Sequence, residues 1–159
     1  MNINNLMIFN PIERMSYIRI FIFSLLLLVC SSSFAIELQE GQVWAYKTRV
    51  NEEDSTITIL KIESYPHLGK VVHIRVDKIR LINPLKGNTV TDIPHLPFKY
   101  SAIEKSISEL RRKKTKIPDF EEGYKMWKEA YLAGEAGAFE STIDVTLNLL
   151  IGGHWEEKE

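Results

Sequence analysis

Polar and apolar residues alternate along three segments in the first half of the chain. These segments are Gln42–Val50, Ser55–Ser64 and Lys70–Val76, and alternation of this kind predicts β-strands. Ser55–Ser64 carries apolar residues on both faces, so we expect it to be the central strand. Because the connecting turns are short, we expect an antiparallel meander. A change of phase near Asp77 predicts a bulge at the end of the third strand.

Asn83–Pro97 separates these strands from the second half of the chain. It contains three prolines and a Gly-Asn pair and has no clear period, so it predicts a long ordered loop. Such loops often carry function. His95 lies in this segment and is therefore a candidate contact residue.

The second half of the chain has apolar residues at helical spacing. Ser101 followed by Glu104 is typical of a capping box. A stripe formed by Tyr124, Trp127 and Tyr131 is typical of a helix face that packs on a sheet, although these rings could also stack on a sugar. The three predicted helices cover Ser101 to Lys114, Pro118 to Gly134 and Ser141 to Ile151.

The order of these elements predicts an α+β fold. Apolar stripes on the helices and apolar faces on the strands must cover each other. We therefore expect a three- or four-stranded antiparallel sheet with two or three helices packed on one face.

The first 35 residues have the pattern of a secretory signal peptide. Two arginines precede the apolar stretch Ile20–Val29, and small residues stand three and one positions before a cut after Ala35. The apolar stretch is shorter than the roughly 20 residues that span a bilayer as a helix, so an uncleaved anchor is the less favoured alternative. We expect removal of residues 1–35 to leave one domain, residues 36–159, in the periplasm or secreted. A start at Met15 would give a signal of ordinary length, and it is predicted as an alternative to the first methionine.

Composition limits the chemistry of the domain that remains. Cys30 is the only cysteine, and Val29 before it is too bulky for a lipidation site. Removing residues 1–35 leaves a cysteine-free domain with 18 basic and 20 acidic residues. We therefore expect no disulfide, no thiolate metal site, no stable membrane span and no drive towards nucleic acid.

Four motifs carry a resemblance to a known family. They are EGQVWAYKTR at Glu40–Arg49, VHI at Val72–Ile74, HLPF at His95–Phe98 and PDFEEGYKMW at Pro118–Trp127. The chain resembles a family of small uncharacterised bacterial proteins over about Gln39 to Ile151. The resemblance implies that this stretch is one domain. It implies no activity, ligand or catalytic residue.

The densest charge cluster is a candidate binding site. Five of the six residues from Arg111 to Lys116 are cationic, which would suit a protein of the cell envelope or another anionic partner. The alternative is a solvated helix end that complements the helix dipole. The predicted binding residues are Arg111, Arg112, Lys113, Lys114 and His95.

Histidines and carboxylates offer weaker candidates. His67, His73 and His95, with Asp92, lack the spacing of a zinc site, so no metal and no cofactor are expected. The acidic residues Asp119, Glu121 and Glu122 are best explained as charges in the first turn of a helix.

Two classes of function remain open at this point. The first is a non-catalytic exported binding or interaction protein. The second is a small hydrolase or carbohydrate-active enzyme that uses Asp92, Asp119 or Glu122 in a cleft, helped by His73 or His95. No catalytic residue is assigned, and an enzyme is the less favoured class.

Overall fold

The computed structural model describes residues 36–82, 87 and 89–152. The predicted signal, its cut after Ala35 and the predicted start at Met15 lie outside the described residues. The elements, in chain order, are β1 (Gln42–Tyr46), β2 (Thr56–Tyr65), β3 (Gly69–Ile82), β4 (Thr89–Lys99), α1 (Tyr100–Ser106), β5 (Ile107–Lys113), α2 (Glu121–Leu132) and α3 (Ile143–Gly152).

The described strands form one antiparallel sheet in the order β4-β3-β2-β1-β5. The predicted meander of β1, β2 and β3 is confirmed, and β2 is the central strand as expected. The predicted bulge is also confirmed. Lys78 has a φ of 60°, and the register between β3 and β4 shifts between Asp77 and Leu81.

A second bulge explains the pattern of β2. Ile59 lies opposite Ile74 while Lys61 lies opposite His73, so Leu60 has no residue opposite in β3. The extra residue reverses the alternation. As a result Ile62 packs on the same core as Ile59, although the two are three positions apart.

The sheet has five strands rather than the predicted three or four, and β4 is one of the missed strands. Pro97 belongs to β4, which is an edge strand. Its carbonyl accepts a hydrogen bond from Phe139 N (2.9 Å), on the outer side of the sheet. The Pro97 nitrogen faces the same way, so its missing N–H removes no bond to β3. The predicted loop is therefore wrong from Thr89 onwards.

The other missed strand is β5. The predicted helix from Ser101 to Lys114 ends at Ser106, and no side chain of the described residues caps its first turn. Ile107 then lies opposite Tyr46 at the start of a strand that pairs with β1. Ile103 and Ile107 are both buried, but on different elements. Their helical spacing therefore misled the sequence interpretation, while pairing with β1 satisfies an edge that a helix would leave open.

The helices cover both faces of the sheet, which corrects the predicted one-face arrangement. Ile103 of α1 and Leu147 of α3 pack in the core with Ile74. The rings of α2 instead contact His73, the neighbour of Ile74 in β3. Successive residues of a strand point to opposite faces, so α2 lies on the face opposite to α1 and α3.

Candidate functional site

The structure places the predicted binding residues at opposite edges of the sheet. Arg111, Arg112 and Lys113 lie on β5, and Lys114 follows directly. His95 lies on β4, at the other end of the strand order. The structure therefore separates His95 from the four cations, which we call the basic edge (Arg111, Arg112, Lys113 and Lys114).

The basic edge is only partly neutralised, and three of its four cations are exposed while Lys114 is half-buried. Residues 108–113 are all exposed. Arg111 pairs with Glu109 (2.9 Å), and Lys114 lies 4.0 Å from an oxygen of Asp77. Lys113 donates to the side-chain amide of Gln39, and no ion pair involves Arg112 within the described part of the chain. A net positive charge thus remains at this edge of the sheet.

The backbone of β5 is irregular. Val43 lies opposite Arg112 and Trp44 lies opposite Leu110, so Arg111 has no residue opposite in β1. A second register shift follows further along the pair. Bulges and cations on an edge strand both oppose the addition of a regular neighbouring strand. A partner at this edge is therefore expected to contact side chains rather than extend the sheet.

A second group of polar and titratable side chains lies beneath α2. His73 is fully buried on β3, and its Nδ1 is 2.9 Å from Nε2 of His95 on β4. The two imidazoles stack with centroids 5.1 Å apart. Tyr124 and Trp127 of α2 meet the His73 ring edge-on. The predicted packing of the α2 aromatic stripe on the sheet is thus confirmed.

The position of Glu63 decides the proton positions in this histidine pair. A hydrogen bond between two neutral imidazoles needs one N–H and one lone pair. Among the described residues, His73 Nε2 has no hydrogen-bond partner, and it lies 3.6 Å from Oε2 of Glu63. A bare lone pair facing a carboxylate would be repelled, so His73 carries its proton on Nε2. His95 Nε2 therefore donates to His73 Nδ1.

Glu63 is held as an anion. Its Oε2 accepts hydrogen bonds from the phenols of Tyr65 (2.5 Å) and Tyr124 (2.7 Å), and Lys61 Nζ lies 3.4 Å from Oε1. Burial alone would raise the pKa of Glu63. The two phenols and the lysines outweigh it and lower that pKa to about 2. Burial together with the Glu63 charge raises the pKa of Tyr65.

Both histidines are neutral at neutral pH. Burial lowers the pKa of His73 to about 4, and the neighbouring His95 adds to the effect. Burial also lowers the pKa of His95 to about 4. His67 is exposed in the turn between β2 and β3 and is not part of this pair. Among the described residues, no group of three or more His, Cys, Asp or Glu could hold a metal ion.

The carboxylates predicted for an enzyme lie apart from the histidine pair. Asp92 accepts from Nη2 of Arg75 (2.6 Å). Asp119 accepts from the backbone N–H of Glu121 (3.1 Å), consistent with the predicted role at the start of α2. Glu122 is exposed. Glu63, which the sequence interpretation missed, is the carboxylate next to His73; only the strand register could have placed it there.

Gly123 controls the approach of α2 to the histidine pair. A Cβ atom at this position would lie 2.9 Å from Cβ of His95. Gly123→Ala is therefore expected to lower the free energy of unfolding by about 1–2 kcal/mol, because α2 must move off the sheet. Helix propensity alone predicts a stabilisation of about 1 kcal/mol. Urea titration of the variant decides between the two signs.

Gly137 provides the matched control for this prediction. It has no positive φ, and a Cβ there would meet no atom of the described part of the chain within 4 Å. Gly137→Ala should change the free energy of unfolding by no more than about 0.5 kcal/mol. A stabilised Gly123→Ala variant would show that α2 does not press on His95.

The chain matches no family model, no curated protein and no solved structure. Of the helices in the described ranges, none is both long enough and apolar enough to cross a membrane.

Proposed function

We propose that the protein is a non-catalytic binding protein, exported from the cytoplasm, whose basic edge contacts an acidic surface of a partner protein of the cell envelope. The observation that carries the proposal is the exposed β5 strand, where Arg112 has no ion pair among the described residues and Lys113 bonds only to an amide. A local cluster of this kind attracts an anionic surface even when the net charge of the chain is only −1. Export rests on the pattern of residues 1–35.

The state of the acid–base groups supports binding over catalysis. Glu63 is occupied by two phenols, and the imidazoles of His73 and His95 bond to each other. Asp92 is bonded to Arg75, and Asp119 to the backbone of α2. General acid–base catalysis needs such groups free to exchange protons with a substrate in a cleft. His95 lines a cavity of about 510 Å³, but its Nε2 is already bonded to His73. The hydrolase alternative therefore has less support than the interaction proposal.

The irregular edge favours recognition through side-chain charges over the addition of a strand-forming peptide. The two register shifts along β5 disturb the row of backbone groups that an added strand would need. Side-chain charges are then the main means of recognition, and they act chiefly on the association rate and on specificity. Export would also separate the protein from most nucleic acid.

Charge reversal tests the proposed contact. The double substitution Arg112→Glu and Lys113→Glu is expected to weaken partner binding about tenfold at about 50 mM salt, because attraction becomes repulsion. Wild-type binding should also fall steeply at about 500 mM salt, where the Debye length is only a few ångströms. Capture from envelope extract identifies the partner by mass spectrometry, and titration with the purified partner gives the affinity.

A second double variant supplies the control. Lys105→Glu with Lys125→Glu makes the same change of net charge at exposed positions of α1 and α2. This variant should bind as the wild type does. If both variants bound the partner equally well, the contact would lie elsewhere, and equal losses would indicate a net-charge effect without a defined surface.

A further inference from the structure

Helix α2 is held on the sheet by side chains that are only partly buried. The helix is described throughout (Glu121–Leu132), and none of its residues is buried, whereas Ile143 and Leu147 of α3 have no exposed surface. An element that buries little apolar surface opens at a lower free energy than the core does. Helix α2 is therefore expected to open before α3.

The contacts of α2 with the sheet converge on the histidine pair. Tyr124 and Trp127 meet the His73 ring edge-on, at centroid distances of 5.1 and 4.8 Å. The Cβ atom of His95 is so near Gly123 that a Cβ atom there would lie only 2.9 Å from it. Because the helix rests on both rings, a displacement of either ring displaces the helix.

Polar contacts also fasten α2 to β2. Tyr124 donates to Glu63 (2.7 Å), and Nζ of Lys128 donates to the Tyr65 hydroxyl (2.9 Å). Lys61 donates in turn to the Tyr124 hydroxyl (3.2 Å). The lowered pKa of Glu63, about 2, keeps this carboxylate ionised between neutral pH and about pH 4, so acidification over this range leaves the polar contacts unchanged.

The geometry of the histidine pair accommodates one proton between the rings. His73 Nδ1 and His95 Nε2 are 2.9 Å apart, and a hydrogen bond between them needs one N–H and one lone pair. When both rings are protonated, each of the two facing nitrogens carries a hydrogen. The bond is then lost, and two N–H groups with like charges face each other. The rings must separate to relieve this repulsion.

The surroundings of the pair oppose a double charge. The charged groups that act on His73 belong to β2, β4 and α2: Glu63 and Lys61, protonated His95, and Lys128. Arg75, two positions along β3, is already paired with Asp77 and Asp92. Glu63 lies 3.6 Å from His73 Nε2 and favours a charge on this ring, while the two ammonium groups oppose it. One anion cannot offset two imidazolium rings and two lysines.

We propose that the histidine pair is a pH-dependent switch for α2: when both rings take up a proton, α2 leaves the sheet, while α1, α3 and the core on the opposite face stay in place. Opening uncovers the buried ring of His73 and lets both charges reach water. The open form is a second, partly folded state of the chain, distinct from complete unfolding. The switch uses no residue of the basic edge, so it goes beyond the proposed protein contact.

Two tryptophan indole signals test the proposal by NMR on the purified wild-type protein. Trp127 of α2 donates its indole N–H to the carbonyl of Gly137, and Trp44 in the core on the opposite face donates to Gln42. The Trp127 signal is expected to move to its unfolded position between about pH 6 and about pH 4, with uptake of about two protons, while the Trp44 signal keeps its native position. Loss of both signals together would overturn the proposal, as would a native Trp127 signal at about pH 4.

A substitution in the pair separates its titration from other effects of acid. In His95→Gln the amide can still donate to His73 Nδ1, but only one ring titrates, so proton uptake on opening should fall from about two to about one. His67→Gln removes an exposed histidine outside the pair and should leave the opening unchanged. Unchanged proton uptake in His95→Gln would assign the opening to carboxylates and contradict the proposal. If that variant does not fold, the two wild-type indole signals still decide.

Discussion

Acidification from about pH 7 to about pH 4 is expected to lower the free energy of unfolding by about 3–5 kcal/mol through the His73–His95 pair. Burial lowers the pKa of each histidine from 6.5 to about 4 in the folded protein. Below 6.5 the unfolded chain takes up protons that the folded chain does not, at a slope of about 1.4 kcal/mol per pH unit for each ring. His95 is half-buried, so solvent screening reduces its share.

The sign of this dependence is set by the depressed pKa values. The stability that the neutral pair contributes is complete above pH 6.5 and is lost as the pH falls towards 4. A second stage follows at lower pH, because the pKa of Glu63 is lowered from 4.5 to about 2. The stability contributed by the Glu63 anion is therefore lost between these two values.

Urea titrations followed by circular dichroism at several pH values measure the expected loss. His95→Gln removes one titrating ring. Between pH 6.5 and 4 it should reduce the slope of the free energy of unfolding against pH by about 1.4 kcal/mol per pH unit, which corresponds to one proton. His67→Gln removes an exposed histidine outside the pair and should leave the slope unchanged. A wild-type stability that stays flat down to about pH 5 would show that the rings are not held neutral by the fold.

Phe98→Ala is expected to lower the free energy of unfolding by about 3–5 kcal/mol. Phe98 is fully buried on β4, opposite Val72, and its ring lies 5.2 Å from that of Phe139. Alanine would leave a cavity between the sheet and the helices on the core face. Because domains of this size have a total stability of about 5–15 kcal/mol, this loss is a substantial fraction of the total, and urea titration of the variant should show a clearly lower midpoint.

Two further variants define the cause of that loss. Phe98→Leu keeps most of the volume and should cost only about 1–1.5 kcal/mol. Leu149→Ala removes a side chain that is 63% exposed on α3 and should cost no more than about 0.5 kcal/mol. Similar losses for Phe98→Ala and Leu149→Ala would mean that the core lies elsewhere.

The elements predicted from sequence are those in which local pattern and tertiary position agree. The alternation in β2 and β3 reflects real cross-strand pairing, and Gly134 ends α2 with a φ of 80° as expected. β4 was not predicted because it contains prolines. An edge strand tolerates a proline such as Pro97 only when its nitrogen faces away from the neighbouring strand, and the sequence does not show which way it faces. β5 was not predicted because Ile103 and Ile107 have the spacing of one helix face. In the structure both reach the core, but from different elements. These positions depend on tertiary contacts that local sequence does not contain.

The candidate sites depend even more on register. His73 and His95 are 22 residues apart and meet only because β3 and β4 align His73 with Pro97. Glu63 joins them through a bulge in β2 that the sequence pattern did not reveal. In contrast, Arg111 to Lys114 could be identified from composition alone, because exposure of a charge cluster needs no particular register.

The placement of helices on both faces of the sheet also separates two of the tryptophans. Trp44 lies in the core with α1 and α3, and its Nε1 donates to Gln42 (2.9 Å). Trp127 belongs to α2 on the other face, and its Nε1 donates to the carbonyl of Gly137 (2.7 Å). Trp155 is outside the described residues. In a variant that keeps only Trp44 or only Trp127, tryptophan fluorescence would report on one face of the sheet. Comparing the two variants during unfolding would show whether α2 detaches before the opposite face loosens.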